Sequence, residues 1–447
     1  MLSKRDNTNI SSKAQVLISI KQVLKMTFIT GIVCLQIVLI TIGPHRASQF
    51  FGSEKNLYGV ATLFHAILNL VLLLIINNKA RDNVIGLKNP KVGHKKEIDF
   101  YLIMALFIFL GYMSVSAIWS SFGGSVVNQY SYLIQIVICG VLFGKLSRMF
   151  VLQQFIGIYI FISCIVFVVL STRKLGIAVF PGDQLNSLPD RFLIVGAGPN
   201  VWPRWMIYTL IFVTWGILFE ILKQKISSVL SLMIFPIIWM LALSGSRAAY
   251  IAFSISVVFL FVVSVFRGVM IQRVINQYRF SMFISFLISM ILEIHQNFPA
   301  SRMVFFRLFQ VTFVEKSASG RGAFFEESIA GIQDHFLIGG GEGSFTGRTG
   351  LDYPHNIFLD SLVTGGLFGL ILFSLVIFLS VKVFYDSRFN QISDFSLNVL
   401  IFAWCLSILV LQMFSGTFVD ARIAFMLLPL LRQNTDKVYS GKSANLV

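Results

Sequence analysis

The sequence predicts an all-α polytopic membrane protein of about twelve transmembrane helices in a single integral membrane domain, residues 1–447, and three observations predict it. Of its 447 residues, 56% are hydrophobic and only 13% charged, a balance far from that of soluble domains. Nearly charge-free windows approaching the ~20 residues that a helix needs to cross hydrocarbon recur along the whole chain. The basic residues gather in the short connections between these windows, as the positive-inside bias requires. The alternating ten-residue pattern of an outer-membrane barrel is missing. The net charge of +16 therefore belongs to topology rather than to nucleic acid. Cys34, Cys139, Cys164 and Cys405 lie inside apolar windows without paired spacing, so neither a disulfide framework nor a metal site is expected.

Each span follows from an apolar run and the charges that bound it. The first, 26–42, follows Lys21 and Lys25, which place the N-terminus in the cytoplasm; no convincing small-residue cleavage site follows, so the span reads as uncleaved. The second, 57–76, returns to the most basic connection, which holds Lys79, Arg81, Lys88, Lys91, Lys95 and Lys96. Spans three to five are 98–119, 130–143 and 149–170. They open into a second outer loop, 171–200, rich in turn residues such as Pro181, Gly182 and Asp183. Spans six to nine are 202–222, 226–243, 248–266 and 280–294; they deliver the chain into a large outer loop, 295–355, containing short helices. Spans ten to twelve, 356–380, 395–414 and a last one ending near Leu431, bring Arg432 and Lys437 back inside.

Few polar residues fall where this scheme does not ask for them. Arg247 follows Ser244-Gly245-Ser246 between spans seven and eight, on the side that the positive-inside bias leaves poor in arginine. It is either held there by a ligand or snorkels to head groups. In the large loop, Arg302 and Arg307 stand among phenylalanines and suit a helix lying in the interface. A second helix is expected over 323–335, capped by Ser319, with Arg321 beside its free N-terminal N–H groups, a good anion site. The glycine run Gly339, Gly340, Gly341 and Gly343 permits close backbone approach but follows no strand and carries no P-loop lysine. His355 opens span ten, as a proton acceptor or as a hydrogen-bonded anchor. Two fixed cations and one base on one side of an apolar bundle suit a ligand with a lipid tail and a diphosphate head. No Asp-rich cluster accompanies them, so arginine would have to stabilise the leaving diphosphate.

The order SGSRAAY, SGRGAFFEESIAGIQDHFLIGGGEGSF and YPHNIFLDSLVTGGLFGL resembles the core of the O-antigen polymerase and O-antigen ligase superfamily, over residues 196–432. The departure is Phe324 and Phe325 where an aromatic, often tryptophan, commonly follows the loop arginine. The resemblance implies a cofactor-free, metal-independent glycosyltransferase of the bacterial inner membrane, its active site facing the periplasm, that uses undecaprenyl-diphosphate-linked glycans as donor and acceptor. It implies that Arg247 and Arg321 bind the diphosphate and that His355 deprotonates or orients the acceptor hydroxyl. Ser246, Asn356, Gly341 and Gly343 are supporting residues of the same motifs. A polymerase is favoured over a ligase, because a basic outer surface suited to a phosphorylated lipid A core is not obvious. A separate chain-length regulator is a candidate partner. A lipid-linked glycan transporter would share the arginines, but it predicts two related halves and charges at mid-membrane, neither of which stands out.

Overall fold

Runs of Leu, Ile, Phe and Val with polar residues at their ends fold as helices, because only a helix pairs every backbone group within one apolar segment. The structure, a computed structural model, describes residues 57–84, 98–120, 127–147, 177–180, 191–194, 202–220, 224–269, 271–294, 304, 321–350, 353–389, 392–414, 416–418 and 420–431. The spans expected at 26–42 and 149–170, and the amphipathic stretch around Arg302 and Arg307, lie outside the described residues. The helices are α1 (Leu57–Val84), α2 (Ile98–Val115), α3 (Val127–Ser147), α4 (Trp202–Leu218), α5 (Gln224–Ser231), α6 (Ile234–Leu243), α7 (Arg247–Phe266) and α8 (Ile271–Ile294). They continue with α9 (Arg321–Asp334), α10 (Ser344–Thr349), α11 (Ile357–Asp386), α12 (Ile392–Gln412) and α13 (Arg422–Leu427). Among the described residues, six helical stretches are long and apolar enough to cross a membrane, and two shorter apolar ones lie within α1 and α3.

Three features differ from the sequence reading. In the loop 171–200, β1 (Ile177–Phe180) pairs antiparallel with β2 (Arg191–Ile194), Ile177 opposite Ile194, so the chain is not purely helical. Short β-branched and aromatic runs on either side of Pro181-Gly182-Asp183 are hairpin chemistry. The seventh span is broken between α5 and α6. Pro236 has no N–H, and its ring would collide with the Leu232 carbonyl in a continuous helix. Ser285 of α8 repairs the break: its hydroxyl donates to Leu232 O at 2.7 Å and accepts from Phe235 N at 3.2 Å. The expected last span is instead the six-residue α13 and one 3-10 turn, Leu428–Leu430, at Pro429.

Aromatic side chains set the register of the central helices. On α4, Trp215 donates its indole N–H to Ser396 O at 2.6 Å; on α12, Trp404 donates to Tyr208 O at 3.0 Å. These pairs make α4 and α12 antiparallel. The Phe259 and Phe402 rings lie 5.4 Å apart and the Arg267 guanidinium sits 3.7 Å over the Phe395 ring, so α7 is also antiparallel to α12. Polar stitches hold the outer members, as where Asn69 of α1 donates to Gln135 O of α3 at 3.0 Å.

The tightest junction lies between α2, α11 and the residues after α9. Helix α11 is interrupted at Gly366, φ 61° and ψ −160°, which frees backbone groups on either side. Residues 336–341 take them up: Leu367 N donates to Phe336 O at 2.8 Å and Phe368 N to Leu337 O at 3.2 Å. Gly340 N donates to Val363 O at 2.9 Å and Gly341 N to Thr364 O at 3.0 Å. Tyr112 of α2 locks the junction, donating to Gly365 O at 2.8 Å, while the Trp119 indole donates to Gly339 O at 3.3 Å. A Cβ at Gly339 would stand 2.2 Å from Thr364 O and 2.5 Å from Gly366 N. Gly339→Ala is therefore expected to cost at least about 1–2 kcal/mol from its φ of 74° alone, and more from the overlap. Thermal unfolding in detergent would register this as a lowered midpoint.

Candidate active site

The residues singled out from sequence gather toward one end of the bundle. Arg247 opens α7 and is partly buried; Gly245, φ 60°, and the buried Ser246, in extended conformation at the N-cap, turn the chain into the helix. Ser246 acts through its backbone, its carbonyl accepting from Ala249 N at 3.1 Å and Tyr250 N at 3.2 Å. Because α7 and α12 are antiparallel in the register just given, Arg247 stands level with the C-terminal end of α12. That end is tied to the other motif: Asn356 donates through Nδ2 to Met413 O at 3.0 Å. Its Oδ1 meanwhile accepts from Phe358 N at 2.9 Å and Leu359 N at 3.2 Å, capping α11. Asn356 thus both starts α11 and docks it on α12.

His355 precedes this cap with φ 60°, a left-handed conformation rare for a residue with a side chain. Its imidazole is packed between the rings of Tyr353, at 4.3 Å, and Phe324, at 4.6 Å and near perpendicular. Phe324 lies in the first turn of α9. Helix α9 begins at Arg321 rather than at residue 323, and its first turn lies against His355 through Phe324. The Arg321 side chain and the expected cap Ser319 lie outside the described residues. Arg348 has a structural part: it pairs with Asp334 at 3.1 Å and Glu327 at 3.6 Å, and it donates to Glu327 O, clasping α10 to α9.

The glycines allow close approach of neighbouring main chain, as the sequence suggested. Gly341, φ 79°, lies where a Cβ would come within 2.4 Å of Ser116 O, and Gly343, φ 78°, turns the chain into α10. The close approach of Gly341 is to the turn that follows α2. Between Gly341 and Gly343, Glu342 accepts a hydrogen bond from the Tyr130 phenol and faces Asp360 in the first turn of α11. Asp360 accepts from Phe418 N and the Thr364 hydroxyl. Burial, then the charge of Asp360, push the Glu342 carboxyl up to about 8, against the lowering effect of the Tyr130 bond.

A second charged cluster at this end went unremarked in the sequence. Arg204 of α4 meets Asp420 at 3.0 Å, and Arg422 of α13 reaches the same oxygen at 3.9 Å. Both arginines are buried, and Tyr353 lies within electrostatic reach of Arg204. Burial raises the Asp420 carboxyl, but the two guanidiniums outweigh it and hold it below its ordinary range. Arg204 and Arg422 broke the positive-inside bias just as Arg247 did, and that signal could have found them.

Residues 232–374 match the family model described as O-antigen ligase, a stretch that holds Arg247, Arg321 and His355 but not Arg204, Asp420 or Arg422. No curated protein matches the chain.

Replacing Asp420 by Asn would remove the carboxylate that two buried guanidiniums share. We expect a cost of about 3 kcal/mol, the lower end for a broken buried pair, since Asp420 keeps 28% of its side-chain surface exposed. The readout is the thermal midpoint of purified protein beside the parent. Glu342 predicts a pH dependence. Folded, it keeps its proton up to about 8, while the unfolded chain releases it near the ordinary 4.5. The folded state then binds more protons in that window, so stability falls as pH rises through it. Glu342→Gln should flatten that slope in thermal scans between the two limits.

Proposed function

We propose that this chain, a member of the O-antigen polymerase and ligase superfamily through residues 232–374, is a glycosyltransferase that polymerises surface polysaccharide from lipid-linked repeat units. The observation that carries the reading is the juxtaposition at one end of the bundle. Within the family-matched stretch, the N-terminal turn of α9 lies against the His355 imidazole, and Asn356 is tethered to the end of α12 that is level with Arg247. In this reading the donor is an undecaprenyl-diphosphate-linked glycan at the periplasmic face of the inner membrane. Arg247, Arg321 and the N-terminal turn of α9 receive the diphosphate, for which the arginine fork and a helix N-terminus are suited.

His355 then takes the proton of an acceptor hydroxyl as its oxygen attacks the anomeric carbon. The new glycosidic bond forms as the bond from that carbon to the diphosphate oxygen breaks. The electron pair leaves on the diphosphate, whose charge the guanidiniums stabilise. The packing of His355 between Tyr353 and Phe324 fixes the ring for this step, and its left-handed backbone is the kind of strain that functional sites retain.

The second reading is a ligase that hands the glycan to the lipid A core, and the match of residues 232–374 to the O-antigen ligase family favours it. The two differ in acceptor alone. A single repeat unit on the core in a strain lacking this protein indicates a lost polymerase; long glycan left on the polyprenyl carrier indicates a lost ligase.

His355→Ala is expected to leave the protein in the membrane and to lower glycan elongation by about 10²–10⁴-fold, the worth of a general base. Arg321→Lys should fail as well, since a point charge does not replace the fork. Unaltered glycan ladders from both variants would overturn the assignment.

A further inference from the structure

The junction at Gly366 carries a surface that glycosyl transfer does not use. Phe336, Leu337 and Ile338 follow the last turn of α9 with 52%, 59% and 49% of their surfaces exposed, three large apolar side chains in succession. Their backbone is not free to withdraw them. Phe336 O and Leu337 O are bonded to Leu367 N and Phe368 N, and Ile338 O accepts from the Tyr112 hydroxyl at 3.1 Å.

Those bonds place the tip beside the face of α11 that carries Phe368, Ile371, Leu375 and Phe378, all exposed and all in a helix apolar enough to span a membrane. The tip thus continues a lipid-facing surface. Its depth follows from α11. Lys382, exposed, marks the far edge of the hydrocarbon, and Gly366 lies sixteen residues earlier, about 24 Å along the helix axis. A hydrocarbon layer about 30 Å thick then extends some 6 Å beyond Gly366. The irregular backbone at that depth is tolerated because α2 and α11 satisfy it.

We propose that residues 336–338 are a re-entrant membrane anchor, inserted just inside the hydrocarbon and covered by phospholipid acyl chains. The anchor sets the height of α9, and so of its N-terminal turn and the His355 beside it, over the membrane surface. It rests on the membrane reading of α11 and not on any reaction.

The test needs no glycan. A photo-reactive benzoylphenylalanine replaces Leu337 or, as a control in the last turn of α9, the exposed Gln333, in full-length protein reconstituted into vesicles of phosphatidylethanolamine and phosphatidylglycerol. After illumination, mass spectrometry is expected to find about tenfold or more phospholipid adduct at 337 than at 333, in line with the partition preference of an apolar side chain. Leu337→Cys, in vesicles, should react with a water-soluble maleimide by a similar factor more slowly than Gln333→Cys, each corrected for the parent protein. Equal adducts and equal labelling at the two positions would overturn the anchor. So would cross-linking of 337 to a second copy of the chain, which would mark the tip as a protein interface instead.

Discussion

The demand that every backbone group within an apolar layer find a partner shapes this molecule more than any side-chain contact. Helix α11 breaks at Gly366, and a neighbouring segment supplies the missing hydrogen bonds in both directions. Helices α5 and α6 separate at Pro236, and one serine hydroxyl closes the gap. The glycine run serves the first of these repairs. A side chain on Gly339, Gly341 or Gly366 would strike backbone, so the glycines allow two strands of main chain to lie against each other where water cannot serve either.

That repair also builds the candidate site. Fixing residues 336–341 onto α11 fixes the end of α9, and α9 is thereby aimed so that its first turn reaches His355. The indole bonds of Trp215 and Trp404 do the corresponding work on the other side, since they set α4 against α12 and bring Arg204 to the end where Asp420 and Tyr353 lie. Residues of α4, α7, α9, α11 and α13 are thereby brought toward one end of the bundle.

Much of this was legible beforehand. The apolar runs located most described helices to within a few residues, since composition and length suffice for that. Arg247 stood out because it defied a charge bias, and His355 because it opened an apolar run; the capping of α11 by Asn356 came from the structure. What stayed hidden was of two kinds. Pro236 was visible, yet reading it as a break needs the partner, Ser285, about fifty residues away. The pairing of Arg204 with Asp420, and of Glu342 with Tyr130 and Asp360, depends on which helices are neighbours, and periodicity within one segment carries no such information. The glycine run was read as permitting close backbone approach, but the sequence does not show which main chain comes near, here Thr364, Gly366 and Ser116.

Arg204, Asp420 and Arg422 set two positive charges around one negative charge. Arginine does not lose its proton in proteins, and the carboxylate between the two is held ionised below its ordinary range. The sum is thus a standing electrical potential that neither mild acid nor mild alkali switches off. Ions in the surrounding solution screen it only beyond a distance of about 8 Å at physiological ionic strength. An anion arriving beside Tyr353 meets the same attraction across the whole range of pH in which a cell envelope works. Whatever sensitivity to acidity the protein displays must then originate in groups other than this trio.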